Sequence, residues 1–358
     1  MENDATDSRF EDLLDSEAPS GAPEEELAQM MDRTVRNVDR LLNGQVNAIL
    51  HHPRFRTAEK AWQELRFLAE EVPSGSSVSL ELLPMSLEEL RTDILETDNL
   101  SEVGLFQQIR KGDYSAAVLG WEIGRGNEDI DLISRLVSVG GAAHVMFLAG
   151  ASAGFFGMPS YRNLEKVADL RSKMDGPEYT KWNVLRDKDE ARFLVLSAVG
   201  FALRYPRGWQ EEKGALTGFR EESWRGGGPA TLWGNPAFGM ASVLARAFQQ
   251  SGEIMRLHGQ EMGRVEAPLP AAVDRPSSKL SPLEVSLSNE KGLELAMRGI
   301  NILSLAGKDE SPCFLGAQTA MRPRTYQSRE LTVLMLAYSR MAWALFACRI
   351  AAAARALN

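Results

Sequence analysis

The chain has 358 residues, 44% hydrophobic and 25% charged, with a formal net charge of −9. This is the profile of a globular chain of one large or two ordinary domains. Two cysteines, Cys313 and Cys348, and four histidines exclude a disulfide scaffold and a four-cysteine zinc site, and nearly exclude a histidine-rich metal centre. Residues 1–26 hold ten acids and one base, Arg9, so the whole net charge sits there. The remainder balances 39 acids against 39 bases and lacks the basic excess of a nucleic-acid groove.

Residues 1–28 read as an acidic, disordered segment, because so polar a stretch cannot bury enough apolar surface to offset its ordering entropy. Within it Phe10, Leu13 and Leu14 fall at i, i+3, i+4, the spacing of a short motif that folds on a partner. The start carries no apolar core of a secretory signal. Residues 29–72 read as a helical hairpin. Met31, Val35, Val38, Leu42, Val46 and Ile49 stripe a first helix that Pro53 ends. Ala58, Ala61, Trp62, Leu65, Leu68 and Val72 form the expected inner face of a second.

Residues 73–358 read as an α/β body. Val78, Leu80 and Leu82 alternate as in a strand, and Ser86 with Glu89 is a capping box opening a helix to about Leu95. Ala116 to Leu119 and Val145 to Leu148 read as buried strands around a helix that Asn127 can cap, with Ile130, Ile133, Leu136 and Val137 on one face. Tyr179 to Leu185 is helical, and Arg192 to Leu203 is apolar without a clear period. Residues 205–230 form a long glycine-rich loop, and a helix runs from Pro236 to about Leu257. Val285 to Leu287 and Ile300 to Leu305 read as strands around a helix at 289–298. Leu331 to Ala354 reads as a long buried helix, since Arg340 and Arg349 interrupt any membrane span. The expected fold is therefore α/β: a mixed sheet with flanking helices, an N-terminal helical hairpin and a long C-terminal helix.

Motifs for chemistry are weak. Gly150-Ala-Ser152-Ala-Gly154 matches the G-x-S-x-G nucleophile elbow and makes Ser152 the one candidate for a serine hydrolase. Yet His258 is the only later histidine, and Pro159 sits where the next helix should continue. His51 and His52 are adjacent and do not converge on one ion; a helix C-terminus explains them. Asp187, Asp189 and Glu190, interleaved with Arg186, Lys188 and Arg192, read as a solvated or interfacial ion-pair network. Gly124-Arg-Gly126 and Gly307-Lys308 lack the rest of a dinucleotide or phosphate loop. No catalytic, cofactor or metal site is expected.

Longer stretches carry more information. Asn47-Ala-Ile-Leu-His-His-Pro53, with Ala58-Glu-Lys-Ala-Trp62 and Leu65, resembles the N-terminal signature of the large subunit of the type VI secretion contractile sheath, the TssC/VipB family. Gly176-Pro-Glu-Tyr-Thr-Lys-Trp182 with Arg186, Asp189 and Arg192 is similar to that family's P-E-Y-x-K-W segment. Leu203-Arg-Tyr-Pro206 with Gly208 is similar to its L-R-x-P-Y-G turn, and Leu232-Trp-Gly-Asn-Pro-Ala-Phe238 to its W-G-N-A-A-Y helix start. Gly316-Ala-Gln318 with Pro323 and Tyr326 resembles a late loop, and Ser339-Arg340 the closing helix. The likeness spans about residues 29–350.

The resemblance implies a non-enzymatic, cytoplasmic bacterial protein. It would pair with a small sheath subunit (TssB/VipA-like) and polymerise helically around an inner tube protein, with baseplate contacts and no nucleic acid or membrane. Such a lattice needs heterologous interfaces that do not close. The resemblance also implies a handle near the N-terminus for a recycling AAA+ ATPase, and Phe10, Leu13 and Leu14 sit in a comparable place. Two departures stand out. Family members continue into a further C-terminal region, and their glycine-rich segment corresponds here to Arg256-Leu-His-Gly-Gln-Glu-Met-Gly263. These leave room for a non-contractile accessory that caps, nucleates or regulates sheath or baseplate assembly.

Overall fold

The computed structural model describes residues 24–72, 75–112, 114–207, 219, 221–222, 231–252, 254, 256–266, 281–306, 311–323, 341, 344–346 and 348–350. In chain order the elements begin with helices α1 (Glu24–Leu50), α2 (Pro53–Glu71), α3 (Leu87–Leu95) and α4 (Gly104–Lys111). Strand β1 (Ala116–Ile123), helix α5 (Asn127–Ala143) and strand β2 (Met146–Ala151) follow, then short helices α6 (Leu170–Met174) and α7 (Thr180–Arg186). Next come β3 (Leu194–Ala198), β4 (Phe201–Arg204), β5 (Leu232–Gly234), α8 (Pro236–Ser251), α9 (Gly259–Met262), α10 (Asn289–Met297), β6 (Ile300–Ala306) and β7 (Ser311–Phe314).

Five strands form one sheet in the order β1-β2-β3-β6-β7. The first four run parallel, and β7 pairs antiparallel to β6. Residues of β2 and β3 are buried throughout, as parallel strands covered on both faces require. Helix α5 buries Ile130, Ile133, Leu136 and Val137 in the core, and α8 packs along β1, β2 and β3. The architecture is the expected α/β fold with a mainly parallel sheet and flanking helices. The apolar run 192–203 is two strands: buried Val199 adopts a positive φ of 72°, a strained conformation for a β-branched residue, and breaks β3 from β4. Strands β4 and β5 then pair as a separate antiparallel ribbon.

Several expectations need correction. Among the described residues, the stretch around Val78, Leu80 and Leu82 belongs to no strand. Val285 to Leu287 is not a strand either; its neighbours bond β4 through Ala202 N–H to Pro282 O (2.8 Å) and Glu284 N–H to Gly200 O (2.9 Å). Helix α8 stops at Ser251 because Gly252 turns left-handed at φ 67°, well short of Leu257. Gly126, rather than Asn127, occupies the N-cap of α5. The capping box of Ser86 and Glu89 forms as read, with both of its hydrogen bonds. Of the C-terminal stretch, 341, 344–346 and 348–350 are helical. Met341, Ala344, Leu345 and Cys348 are buried there, while Phe346 and Ile350 face outward.

The hairpin departs most. Met31 is 62% exposed, and Val35, Leu42 and Ile49 are also exposed, while Val38 and Val46 are half-buried; among the described residues of α1 the buried ones are Asn47 and Leu50. On α2 the face read as inner is split: Ala58, Ala61 and Trp62 point out, Trp62 being 72% exposed, whereas Leu68 is buried in the core and Leu65 packs against it. The face turned inward carries Arg56, Glu59, Lys60 and Glu64 above Phe67 and Leu68. That polar row has a helical period, and it meets fixed partners on the body.

Candidate functional site

The side chains of the family-like motifs converge on the seam between α2 and the body. Arg204, at the end of β4, donates to both oxygens of Glu59 (2.5 and 2.9 Å) and to Glu221 (2.9 Å). All three side chains are nearly excluded from water. Arg207 adds a contact to Glu59 at 3.2 Å. Glu221 also accepts from the Arg207 N–H, and its other oxygen lies 3.2 Å from His51 Nε2. Burial pushes Glu59 up, but the hydrogen bonds and charges of Arg204 and Arg207 outweigh it and hold the carboxyl below its ordinary value. The paired histidines thus part ways: His51 closes this network and His52 is exposed at the α2 N-cap.

One turn along α2, Lys60 Nζ sits 2.6 Å from Glu122 of β1 and 3.8 Å from Glu64. Buried Glu64 accepts the Asn235 N–H at 2.7 Å. Asn235 is fully buried at the α8 N-cap, where its Oδ1 accepts from Ala237 N–H (2.9 Å) and its Nδ2 donates to Leu119 O (3.1 Å). So one residue of the Leu232–Phe238 motif ties α2, β1 and α8 together.

This packing also accounts for the nucleophile-like motif. A Cβ on Gly150 would lie 2.1 Å from Asn235 Oδ1, so the glycine is needed for close approach. Ser152 Oγ donates to the Ile123 carbonyl at 3.2 Å; among the described residues no hydrogen bond joins it to an acid or a histidine. Gly150→Ala should therefore destabilise the chain by about 1–3 kcal/mol, read as a lowered thermal midpoint. An unchanged midpoint would mean Asn235 can turn aside.

The other motifs are structural in the same way. Tyr179 donates to Phe155 O (2.9 Å), and Trp182 packs edge-on against Phe155 at 5.2 Å. Arg186 was read as part of a solvated network, but it is buried and donates to the carbonyls of Ala320 (3.0 Å) and Met297 (3.2 Å). Burial lowers its guanidinium to about 10. Asp189, Glu190 and Arg192 do lie outside, lining an open cleft with His144. Asn301 holds the Gly316–Gln318 loop by accepting from Gln318 N–H and donating to Gln318 O, both at 2.8 Å. Phe10, Leu13, Leu14, Tyr326, Ser339 and Arg340 lie outside the described residues. Among the described residues no group of His, Cys, Asp or Glu could hold a metal, and no helix is long and apolar enough to cross a membrane.

The model of the EvpB/VC_A0108 tail sheath N-terminal domain matches residues 32–321. The chain belongs to the VipB tail sheath family. It is 25% identical over 335 residues to the type VI secretion system sheath protein TssC1 of Pseudomonas aeruginosa, covering 90% of this chain and 67% of TssC1. Among solved structures it is similar to a chain of the anti-feeding prophage baseplate, with a TM-score of 0.33, 11% identity and 78% of this chain covered. It is also similar to a chain of the anti-feeding prophage helical sheath in the contracted state, with a TM-score of 0.30, 13% identity and 72% covered. The chain spans 59% and 57% of the lengths of those two chains.

Sequence reading missed the seam residues Glu59, Lys60, Glu64, Arg204 and Glu221 as a unit. A signal was available: Arg56, Glu59, Lys60, Gln63 and Glu64 recur at i, i+3, i+4, i+7, i+8, the spacing of one helical face.

Proposed function

We propose that this chain is a structural component of a type VI secretion contractile sheath, pairing with a small sheath subunit around an inner tube. Membership of the VipB family supports the class. The observation that carries the assembly reading is the uncovered apolar surface of the hairpin, Met31, Val35, Leu42 and Ile49 on α1 and Trp62 on α2. A large apolar surface left exposed in this way marks a protein–protein contact. The seam beneath it fixes α2, and with it Trp62, against the body. The chain's role on this reading is mechanical, with no catalytic step, and its place is the bacterial cytoplasm. Co-expression with a small sheath subunit, followed by size exclusion and negative-stain microscopy, tests the reading. Tubes or a stoichiometric complex are expected; a chain that elutes alone sinks it.

The N-terminal island Phe10, Leu13 and Leu14 is the proposed handle for a recycling AAA+ ATPase. An amphipathic turn of this kind binds by seating its apolar side chains in a groove. Leu13→Asp with Leu14→Asp should abolish ATPase binding in a pull-down while leaving sheath assembly intact. Undiminished binding would place the handle elsewhere.

A further inference from the structure

We infer that α2 is held to the body by a proton-operated latch: the carboxyls of Glu64, Glu122 and Glu284 close around the ammonium of Lys60 only while they hold a proton, and its loss lets the near end of α2 lift. The geometry is a charge mismatch in a closed place. Lys60 Nζ sits 2.6 Å from Glu122 and 3.8 Å from Glu64, whose side chain is 2% exposed. The Glu284 carboxylate lies against Gly200, between β3 and β4, where a Cβ would be 3.2 Å from its Oε2. Among the described residues neither a hydrogen bond nor an ion pair reaches that carboxylate. Three carboxylates on one ammonium leave negative charge uncompensated away from water, and holding a proton removes it. Burial is the first cause raising Glu64 and Glu284 to about 7, and Glu122 adds to both. At Lys60, Glu122 and Glu64 outweigh burial, so the ammonium stays charged. The remaining neighbours do not supply the missing charge. Arg162, on the turn Tyr161–Asn163, opposes the rise of Glu284 but is itself exposed. Tyr161 is a neutral donor bonded to the Ala151 carbonyl. The Asn235 N–H on Glu64 can be accepted by either protonation state.

The packing makes the response local. Along α1 and α2 as far as Glu64, the buried residues among those described are Asn47, Leu50 and Glu64. Apolar anchoring comes later: Leu68 is in the core, Leu65 packs against it, and the Phe67 ring lies 4.9 Å from that of Phe201. The near end of α2 is thus tied by charge and hydrogen bonds and the far end by apolar contact. Such a unit can open without unfolding the sheet. The lip of the cluster is wet, with Lys60 30% and Glu122 27% exposed, so protons reach it from solvent. The closed form holds protons that the open form releases above about 4.5, so closure is strongest below that range and weakens as pH rises through about 7. The other half of the seam runs in the opposite sense. Glu59, raised by burial but held low by Arg204 and Arg207, titrates only in acid. His51, 3.2 Å from Glu221, is the rival titratable group on that side. With the latch open, Trp62 on the outer face of α2 leaves its fixed place on the body.

Hydrogen exchange of the full chain between about pH 6 and about pH 8.5, corrected for the intrinsic pH dependence of amide exchange, tests this. Over that range the amides from Arg56 to Glu64 should lose about tenfold in protection for one proton released and about a hundredfold for two, while β2 and β3 keep theirs. Glu64→Gln with Glu284→Gln should flatten the dependence and keep α2 protected at the alkaline end. Either substitution alone should recover about tenfold of the loss. Lys60→Gln should deepen it, since the carboxyls lose their ammonium. His51→Gln should leave it unchanged. A loss of protection shared equally by β2 and β3 means that α2 opens only with the whole chain, and overturns the latch. Protection of α2 that does not change with pH overturns it as well. A dependence that survives in the double glutamine variant, or disappears with His51→Gln, places the titrating group elsewhere with the same result. None of these outcomes bears on the sheath reading, which rests on other observations.

Discussion

Arg204→Ala is expected to destabilise the chain by about 3–5 kcal/mol, because it removes the charge that bridges two buried carboxylates. Glu59 loses a bidentate partner and Glu221 loses its nearest guanidinium donor. Neither side chain can turn to water, with 7% and 0% of its surface exposed. Arg207 reaches Glu59 through one nitrogen at 3.2 Å and cannot replace the fork. Lysine at 204 should rescue little, since a single ammonium cannot bridge both carboxylates with the same geometry. The comparison is Arg66→Ala, which breaks the Arg66–Glu70 pair on the outer side of α2. Both partners there are mostly exposed, so the loss should stay under about 1 kcal/mol. Urea unfolding midpoints of the two variants decide the matter. Equal losses would mean the Arg204 network contributes no more than a surface pair and that the seam is held by apolar contacts alone.

The same network explains what could be read in the sequence and what could not. Local rules succeeded where local energetics decide. The Ser86–Glu89 box set the start of α3, and the spacing of Ile130, Ile133, Leu136 and Val137 set the buried face of α5. The run inside β2 was uninterruptedly apolar, as a strand of a covered parallel sheet is, whereas the stretch holding β3 and β4 showed no clear period. Reading failed where burial is decided by distant partners. Hydrophobicity placed Trp62 on the inner face and named neither Glu59 nor Glu64 there. The structure does the reverse, because Arg204, Lys60 and the Asn235 N–H lie on the inner side to meet them. No periodicity within α2 states that Arg204, some 145 positions away, will supply the counter-charge.

Strand assignment failed for a related reason. The alternation at Val78, Leu80 and Leu82 is a true strand pattern whose pairing partner is absent from the described chain. The family motifs were legible as words before their roles were. Asn235, Arg204, Tyr179 and Arg186 all turn out to bind backbone or buried charge at junctions between elements. Such roles appear only once the elements are placed.

Glu64→Gln is expected to stabilise the chain above neutral pH and to leave it nearly unchanged below about pH 4.5. Burial raises Glu64 from its ordinary 4.5 to about 7; Lys60 and the Asn235 N–H offset part of that, and Glu122 adds to the rise. Glu284 is likewise raised to about 7, by burial first and then by Glu122, with Lys60 and Arg162 opposing. Groups acting on Glu64 therefore come from its own helix (Lys60), from β1 (Glu122) and from the α8 cap (Asn235). Both carboxyls hold protons more tightly when folded than unfolded. Their contribution is fully present below about 4.5 and is lost as pH rises through about 7. Glu59 works in the opposite sense. Its lowered value supplies stability above its unfolded range that disappears in acid. One seam thus weakens on both sides of a mildly acidic optimum. Glutamine keeps an acceptor for the Asn235 N–H while removing one of the two high-pH titrations. The gain at pH 8.5 should be on the order of 2 kcal/mol, falling between about pH 7 and pH 4.5 and vanishing only below about 4.5. Thermal midpoints across that range check it. Parallel wild-type and variant curves would mean Glu64 is ionised throughout, with Lys60 supplying enough charge to hold it so.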